Sequence, residues 1–338
     1  MTKFIGGIDG GATNSTMVIM KSPDGEIIAR VTGGPTNQFL DFEGTVSTII
    51  EMTKKAKEQA NIPSDQLLDS LGLSLSGLES EKEQNRMKNE LSKYGLSSNF
   101  YLCNDSFGSL ATAFQPNTER IVVISGTGSV CRMIDSSGKV YRVGGWGHVL
   151  GDEGSSYYVA MKAVKSVIRF LEKNVKEKYF EYDHSVLIRI VFEYFQIHDI
   201  NELLDIFYRR FSKNYVAGLT KYLSQELKNQ DPLCSLIFKK AAKQLARMIL
   251  AVLKQRGNDL EKTQTQIQIL CCGSMWNNFT DFQNDFLKNI RKGIKTKIKF
   301  VQLTDTSAIG SCLLAAHEKE YPLNFNHSSA IRILYEEK

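Results

Sequence analysis

The chain has 338 residues, of which 42% are hydrophobic and 23% are charged, and its formal net charge at pH 7 is +5. This composition is typical of a globular protein with two domains. No apolar run reaches the ~20 residues that span a bilayer, and the start lacks the basic and apolar regions of a signal peptide. We therefore expect a cytoplasmic protein with no membrane partner.

The basic residues are spread along the chain rather than gathered into stripes that alternate with aromatic residues. Solvated helix faces explain such a distribution better than nucleic-acid binding does, so we expect no nucleic-acid partner. The six cysteines have no C-x-x-C spacing, and five of them lie in apolar surroundings. The sequence therefore predicts reduced, mostly buried thiols rather than a metal or iron–sulfur site.

The first half begins with three predicted strands. An apolar run, Phe4–Ile8, is followed by the glycine turn Asp9–Ser15 (DGGATNS). The second strand covers Thr16–Met20, and the turn Ser22–Gly25 (SPDG) separates it from the third, Ile27–Val31. The order of elements is therefore strand, glycine turn, strand, turn, strand.

Helices and single strands then alternate. Apolar residues between Phe42 and Ala60 recur at helical spacing, and the strand Leu71–Leu75 follows. Ser80 and Glu83 form a predicted capping box that starts the next helix. The strand Tyr101–Cys103 and a further helix complete the half, which has the predicted order β-β-β-α-β-α-β-α.

The second half repeats this order from Ile121. A strand meets the glycine turn Ser125–Ser129 (SGTGS), and a second apolar strand continues directly from it. In a Walker-type or dinucleotide-binding loop a helix would start there, so this turn is predicted to close a β-hairpin instead. The remaining elements are a strand at Val140–Val143, a helical insertion over about 155–255, strands at Ile267–Leu270 and Ile298–Leu303, and helices around 279–292 and 306–319.

Two copies of this order resemble the architecture of the actin-like ATPases and sugar kinases. The sequence therefore predicts an α/β fold of two ribonuclease H-like domains, residues 1–118 and 119–338, with the helical insertion in the second. In that plan each half offers a glycine hairpin whose backbone N–H groups hold the phosphates of one nucleotide. Either turn alone is commonly just a tight turn, but matching positions in both halves favour the phosphate role.

The first glycine turn offers groups that suit ATP. Gly10 and Gly11 let the backbone approach a phosphate closely, and Thr13 can donate a hydrogen bond to a phosphate oxygen. Asp9, at the strand end, suits a Mg²⁺ ion held partly through water. The corresponding residues of the second turn are Gly126, Thr127 and Gly128, and Gly273 with Ser274 follow a later strand where an adenosine could lie.

Three polar residues have both a structural and a functional interpretation. Asp105 is either a helix N-cap or a base that accepts the proton of a hydroxyl attacking the γ-phosphate. Asp152 lies in Gly144–Gly154 (GGWGHVLGDEG), which suits a loop that brings backbone and a carboxylate to a polar ligand. It also precedes a helix, so helix capping is the alternative. Asn37 is either a turn residue or a partner for a sugar hydroxyl.

The motifs together resemble a known family. The segments DGGATNS, TNQF, LGLSLSG, ISGTGSVCR, GGWGHVLGDEGS and CCGSMW are similar to those of the eukaryotic N-acetylglucosamine kinases, in the BadF-type branch of the actin-like sugar kinases. The similarity extends from about residue 4 to about residue 320, and 321–338 match least well. It implies ATP-dependent phosphorylation of the C6 hydroxyl of N-acetyl-D-glucosamine by a homodimer.

The resemblance also implies roles for single residues. Thr13 and Thr127 would contact ATP phosphates, and Gly218 and Ser274 would flank the nucleotide. The implied sugar-binding residues are Asn37, Asp105, Gly145, Trp146, Gly147 and Asp152, with Asp105 as the general base. Ala12 stands where the family usually has a third glycine, and Leu78-Glu79 replaces a more usual small or acidic pair.

Other functions remain open from the sequence. The substrate could be N-acetylmannosamine or glucose, because one chain does not define how a pocket meets the C2 substituent. A non-catalytic sugar sensor would keep the same fold. An ATPase that activates a radical dehydratase would need cysteines for an iron–sulfur cluster, and their spacing here offers no such set.

Overall fold

The computed structural model describes residues 2–11, 14–38, 41–116, 118–174, 182–257 and 265–337. The chain divides into two compact units. Unit 1 consists of Met1–Arg120 and Val301–Ile333, and unit 2 consists of Ile121–Phe300 and Leu334–Lys338. No helix in the described ranges is both long enough and apolar enough to cross a membrane.

Unit 1 contains a five-stranded sheet. Its strands are β1 (Lys3–Gly10), β2 (Ser15–Ser22), β3 (Glu26–Gly33), β4 (Ser70–Leu75) and β5 (Phe100–Asn104), in the order β3-β2-β1-β4-β5. β1 pairs antiparallel with β2, and β4 pairs parallel with both β1 and β5. The carboxyl ends of β1, β4 and β5 therefore meet along one side of the sheet, which we call the first-sheet edge.

Three helices of unit 1 follow the predicted order. They are α1 (Phe42–Gln59), α2 (Glu81–Leu91) and α3 (Asp105–Ala113). α2 begins at the predicted capping box, in which the Ser80 hydroxyl accepts the Glu83 N–H and the Glu83 carboxylate accepts the Ser80 N–H. Ile49 of α1 is buried with Ile8, Ile19 and Leu73 of the sheet. Apolar residues at alternate strand positions thus form this core, as the strand period requires.

A fourth helix, α10 (Ala308–Glu318), covers the opposite face of the unit 1 sheet. Small residues allow the close approach: a Cβ on Gly7 would overlap the Ala308 carbonyl oxygen, and one on Gly72 would overlap the Ser311 carbonyl oxygen. Gly310 makes a similar approach to Gly108 of α3. The predicted second domain, 119–338, included this helix. The observed division differs because residues 301–333 pack with unit 1.

The second half of the chain forms a six-stranded sheet. Its strands are β6 (Arg120–Ser125), β7 (Ser129–Ile134), β8 (Val140–Gly144), β9 (Gln266–Cys272), β10 (Lys297–Leu303) and β11 (Ile331–Glu336), in the order β11-β10-β9-β6-β7-β8. β6 and β7 are neighbours, so the predicted hairpin is confirmed. β6 runs parallel to β9, with Ile124 opposite Cys272. The carboxyl ends of these two strands form the second-sheet edge.

The predicted helical insertion is confirmed in unit 2. The helices of this part of the chain are α4 (Gly147–Leu150), α5 (Ser156–Leu171), α6 (Ser185–Phe195), α7 (Lys213–Lys228), α8 (Pro232–Arg256) and α9 (Phe279–Ile290). Val159, Leu219 and Phe238 of the insertion are fully buried in one core with Val123 and Ile269 of the sheet. The insertion is therefore part of the unit 2 core, and it holds the loops that follow β6 and β8.

Candidate active site

The first glycine turn lies at the first-sheet edge and is bonded to neighbouring loops. The Gly11 N–H donates to the Asn14 carbonyl at 3.1 Å, and the Gly11 carbonyl accepts the Thr36 N–H at 3.0 Å. Gly10 accepts the Ser76 N–H at 2.9 Å, and a Cβ on Gly10 would overlap the Thr36 hydroxyl. Close packing therefore requires a glycine at position 10. Ala12 and Thr13 lie outside the described residues.

Two side-chain amides connect the loop after β4 with the loop after β3 and with the end of β5. The Gln38 amide donates to the Gly77 carbonyl at 2.6 Å, and the Asn104 amide donates to the Glu79 carboxylate at 2.8 Å. Asn37, half-buried beside Gln38, is therefore on the same edge as the loop after β4. Glu79, which departs from the family pattern, has a structural role here as the acceptor for Asn104.

Asp105 is in the first turn of α3, directly after the strand end. The N-cap is Asn104, whose side-chain oxygen accepts the Ser106 N–H at 3.1 Å, so the interpretation of Asp105 as the N-cap is wrong. Asp105 is half-buried. Burial, with a smaller contribution from the Asp105 charge, raises the pKa of the adjacent Cys103 thiol to about 12. The thiol therefore stays protonated at neutral pH.

Asp9 is a half-buried carboxylate held by a hydroxyl. Its Oδ2 accepts a hydrogen bond from the Ser307 hydroxyl at 2.6 Å. Burial raises the Asp9 pKa, and the Ser307 bond partly opposes this shift. The described ranges contain no group of three His, Cys, Asp or Glu side chains that could hold a metal. A single carboxylate fits Mg²⁺ that arrives with phosphates and waters, because Mg²⁺ commonly uses only one or two protein carboxylates.

The second glycine turn lies at the second-sheet edge beside the Gly273 backbone. Gly273 has a φ of +100°, and a Cβ there would overlap the Ser125 carbonyl oxygen. The Gly126 carbonyl accepts the Ser156 N–H at 2.8 Å, and the Ser156 hydroxyl lies 3.4 Å from that of Ser274. Unit 2 therefore brings together the predicted nucleotide residues Gly126, Thr127, Gly128, Gly273 and Ser274 at the start of α5.

Asp152 is directed at this turn. It is 7% exposed, and its Oδ1 accepts the Ser129 N–H at 3.2 Å. Its Oδ2 lies 2.7 Å from the Lys213 ammonium. The N-cap of α5 is Ser155, whose hydroxyl accepts the Tyr158 N–H, so Asp152 is not the N-cap residue of that helix. The carboxylate instead joins the glycine turn to a cation.

The loop Gly144–Gly154 needs its glycines. Gly144, Gly145, Gly147 and Gly154 have φ between +75° and +85°, where other residues are strained. Arg142 donates to the carbonyls of Gly144 and Gly145, and its guanidinium lies 4.8 Å from the Trp146 ring centroid. Trp146 is 64% exposed. The loop therefore presents backbone groups and an aromatic ring to solvent while Arg142 fixes its first residues.

Three other residues, one of them predicted and two overlooked, differ in their contacts. Gly218 lies within α7, where a Cβ would overlap the Tyr194 hydroxyl, and none of its described contacts joins it to the glycine turn. Lys213 was missed by the sequence analysis, although a cation at the first position of a helix is unfavourable and so marks an unusual residue. Ser307, before α10, was also missed because it resembles an ordinary N-cap serine.

The family model of the BadF/BadG/BcrA/BcrD ATPases matches residues 7–315. The chain belongs to this ATPase family. Family membership implies the use of ATP. The six cysteines are free and five are buried, which places those five away from any exposed cluster site and disfavours the dehydratase-activator alternative.

Two curated relatives are sugar kinases. An N-acetylmuramic acid/N-acetylglucosamine kinase of Clostridium acetobutylicum is 25% identical over 94% of this chain and 99% of its own length. An N-acetyl-D-glucosamine kinase of Dictyostelium discoideum is 27% identical over 76% of this chain and 81% of its own. Because a bacterial and a eukaryotic protein match at similar identity, the predicted eukaryotic subgroup is not distinguished.

Solved structures show the fold. A chain assigned as an N-acetylglucosamine kinase from Chromobacterium violaceum has a TM-score of 0.71 at 21% identity, covering 93% of this chain and 99% of that one. A ROK-family glucokinase from Streptomyces griseus, in complex with glucose and AMPPNP, has a TM-score of 0.59 at 15% identity, with 93% and 99% coverage. The predicted actin-like sugar-kinase fold is therefore confirmed.

Proposed function

We propose that this chain is an ATP-dependent kinase that phosphorylates the C6 hydroxyl of N-acetyl-D-glucosamine. One observation carries the proposal: in unit 2 the Asp152 carboxylate is bonded to the glycine turn through the Ser129 N–H, at 3.2 Å. A phosphate-binding turn and an acceptor for sugar hydroxyls are thereby adjacent, as phosphoryl transfer to a polyol requires. The sugar kinases among the relatives support the same reaction.

For unit 2 we assign binding roles. The backbone N–H groups of Gly126–Gly128, with the Thr127 hydroxyl, bind ATP phosphates, and Gly218, Gly273 and Ser274 flank the nucleoside. Asp152 accepts a hydrogen bond from a sugar hydroxyl. Each carboxylate oxygen has two lone pairs, so the hydrogen bond from Ser129 and the ion pair with Lys213 leave acceptor capacity. The Gly145–Gly147 backbone and the Trp146 ring complete the sugar contacts.

For unit 1 we assign the chemical step. Asp105 accepts the proton of the C6 hydroxyl as that oxygen attacks the γ-phosphorus, and the bond to the β,γ-bridging oxygen breaks to release ADP. Asn37 binds a sugar hydroxyl, and Gly10, Gly11 and Thr13 bind phosphates. Asp9 is the carboxylate that would hold Mg²⁺, whose contribution when bound is to neutralise phosphate charge.

The proposal includes a homodimer in the cytoplasm. Use of ATP and six free cysteines favour that compartment. The dimer is proposed from the family resemblance, and sedimentation of the purified chain tests it.

A second candidate substrate is N-acetylmuramic acid. It is favoured by the Clostridium relative, whose name includes both sugars and which matches almost over its full length. This sugar differs from N-acetylglucosamine by a lactyl ether at C3, so the reaction and the roles above would be the same.

The test is ADP release from ATP and Mg²⁺ in the presence of each of four sugars: N-acetylglucosamine, N-acetylmuramic acid, N-acetylmannosamine and glucose. We expect the highest kcat/KM with N-acetylglucosamine. A higher value with N-acetylmuramic acid would select the second candidate, and release with only one of the other sugars would overturn the substrate assignment. Sugar binding without ADP release would support a sensor instead.

A further inference from the structure

Lys213 lies against the second glycine turn. Its ammonium is 2.7 Å from Asp152 Oδ2. A Cβ on Gly128 would be 3.1 Å from that ammonium and 3.0 Å from Asp152 Oδ1. The side chains are 30% and 4% exposed for Lys213 and Asp152, respectively. The cation is thus within reach of solvent on one side and of the turn on the other.

The local helix does not explain this lysine. Lys213 is the first residue of α7, and the N-cap Ser212 accepts the Tyr215 N–H at 3.3 Å. The N-terminus of a helix carries partial positive charge, so a neutral or acidic residue would stabilise α7 better. An ion pair of which one partner is buried and the other half-buried gives little net stability compared with apolar packing. Neither effect accounts for a lysine at this position.

The ammonium has donors to spare. It carries three N–H groups, and the described contact of the ammonium is its ion pair with Asp152. The backbone N–H groups of the turn and a nearby lysine form the combination that binds phosphate oxygens in nucleotide sites. Gly128 leaves room for this approach because it has no side chain.

We propose that Lys213 binds a phosphate group of ATP at the Gly126–Gly128 turn and at the same time holds Asp152 in position. The inference rests on the proposed function, since it names a further residue of the same site. A phosphate oxygen that also binds the Lys213 ammonium weakens the ion pair between Lys213 and Asp152. Asp152 then has more acceptor capacity for a sugar hydroxyl. ATP and sugar should therefore bind with mutual dependence.

The experiment compares nucleotide affinities of purified variants by calorimetry, without sugar. Lys213→Met should weaken ATP binding about 10–100-fold, the effect of losing a bond to a charged group, and change adenosine binding less than about twofold. Lys213→Arg should recover most of the loss. The control is Lys221→Met, an exposed lysine of the same helix, which should bind ATP normally.

A second pair of variants covers loss of folding, because Lys213→Met leaves Asp152 without its cation. Asp152→Asn and the double variant Lys213→Met/Asp152→Asn both lack the buried charge. ATP affinity should be about 10–100-fold weaker in the double variant than in Asp152→Asn. Equal ATP affinity in these two variants, or equal loss of ATP and adenosine binding in Lys213→Met, would overturn the role.

The outcomes separate this inference from the kinase proposal. ATP binding that depends on Lys213 in a chain that phosphorylates no sugar would support Lys213 and overturn the proposed function. Sugar phosphorylation with an ATP affinity that does not depend on Lys213 would support the proposed function and overturn the role of Lys213.

Discussion

The two sheet edges hold their carboxylates in different ways. At the first, Asp9 accepts one hydrogen bond from the neutral Ser307 hydroxyl, and burial raises its pKa. At the second, Asp152 is bonded to the Ser129 N–H and paired with the Lys213 ammonium at 2.7 Å. One carboxylate is held by a neutral donor, whereas the other has its counter-charge within the chain.

This difference indicates what each edge is prepared to bind. A half-buried carboxylate whose charge is only partly compensated is stabilised by an incoming cation, which suits Asp9 to a metal–phosphate complex. Asp152 is already compensated and can accept hydroxyl hydrogens without a metal. The same kind of residue therefore serves different ligands because its neighbours differ.

The largest effect is expected from Asp105→Asn, which removes a base without changing size. We expect kcat to fall about 10³-fold, within the usual range for a general base, while sugar affinity changes little. Steady-state kinetics and sugar titration check this. Retained turnover would mean that Asp105 is not the general base, and Asp152 would become the candidate for that role.

A smaller effect is expected from glycine substitutions at the second edge. Gly273→Ala should lower the free energy of unfolding by about 1–3 kcal/mol through its positive φ and by about 1–3 kcal/mol more through overlap with the Ser125 carbonyl. The matched control is Gly138→Ala, which has a φ of +85° and no atom within 4 Å of the new Cβ. Denaturant unfolding of both variants gives the difference. Equal losses would mean that close backbone approach does not matter here.

The smallest effect concerns the pH dependence of stability at the first edge. The Asp9 pKa is raised in the folded protein, so Asp9 favours folding at low pH and this contribution is lost as pH rises through the folded pKa. Asp9→Asn stays neutral and should unfold at a higher temperature than the parent by a few degrees at most, with the gap widening as pH rises above 3.8. Thermal unfolding between pH 4 and pH 8 measures the gap.

Ser307→Ala is the matched variant for that experiment. It removes the bond that favours charged Asp9, so it should lower stability at neutral pH. An Asp9→Asn variant with a constant or negative gap would contradict the assignment of Asp9 as a carboxylate whose charge is only partly compensated.

Much of the fold was predictable because its signals are local. Alternating or continuous apolar runs predicted the strands, and the Ser80–Glu83 capping box was confirmed at the start of α2. The glycines of Gly144–Gly154 were predicted to serve a backbone role, and four of them have φ between +75° and +85°.

Other features depend on distant contacts and were not predictable. Asn104 and Asp105 are both good N-cap residues, so the sequence alone did not select Asn104. α10 can pack closely on the sheet of unit 1 because Gly7 and Gly72, which are far from it in the sequence, have no side chain to overlap its backbone. Lys213 and Asp152 meet only because α7 packs beside α5.

The central claim is phosphoryl transfer to C6, and the position of phosphate in the product tests it most directly. N-Acetyl-D-glucosamine labelled with ¹³C at C6 would be incubated with ATP, Mg²⁺ and the purified chain, and the product examined by ³¹P and ¹³C NMR. We predict coupling between phosphorus and the labelled carbon, and no such product with Asp105→Asn. Phosphate on another carbon, or ATP consumption without a phosphorylated sugar, would contradict the account.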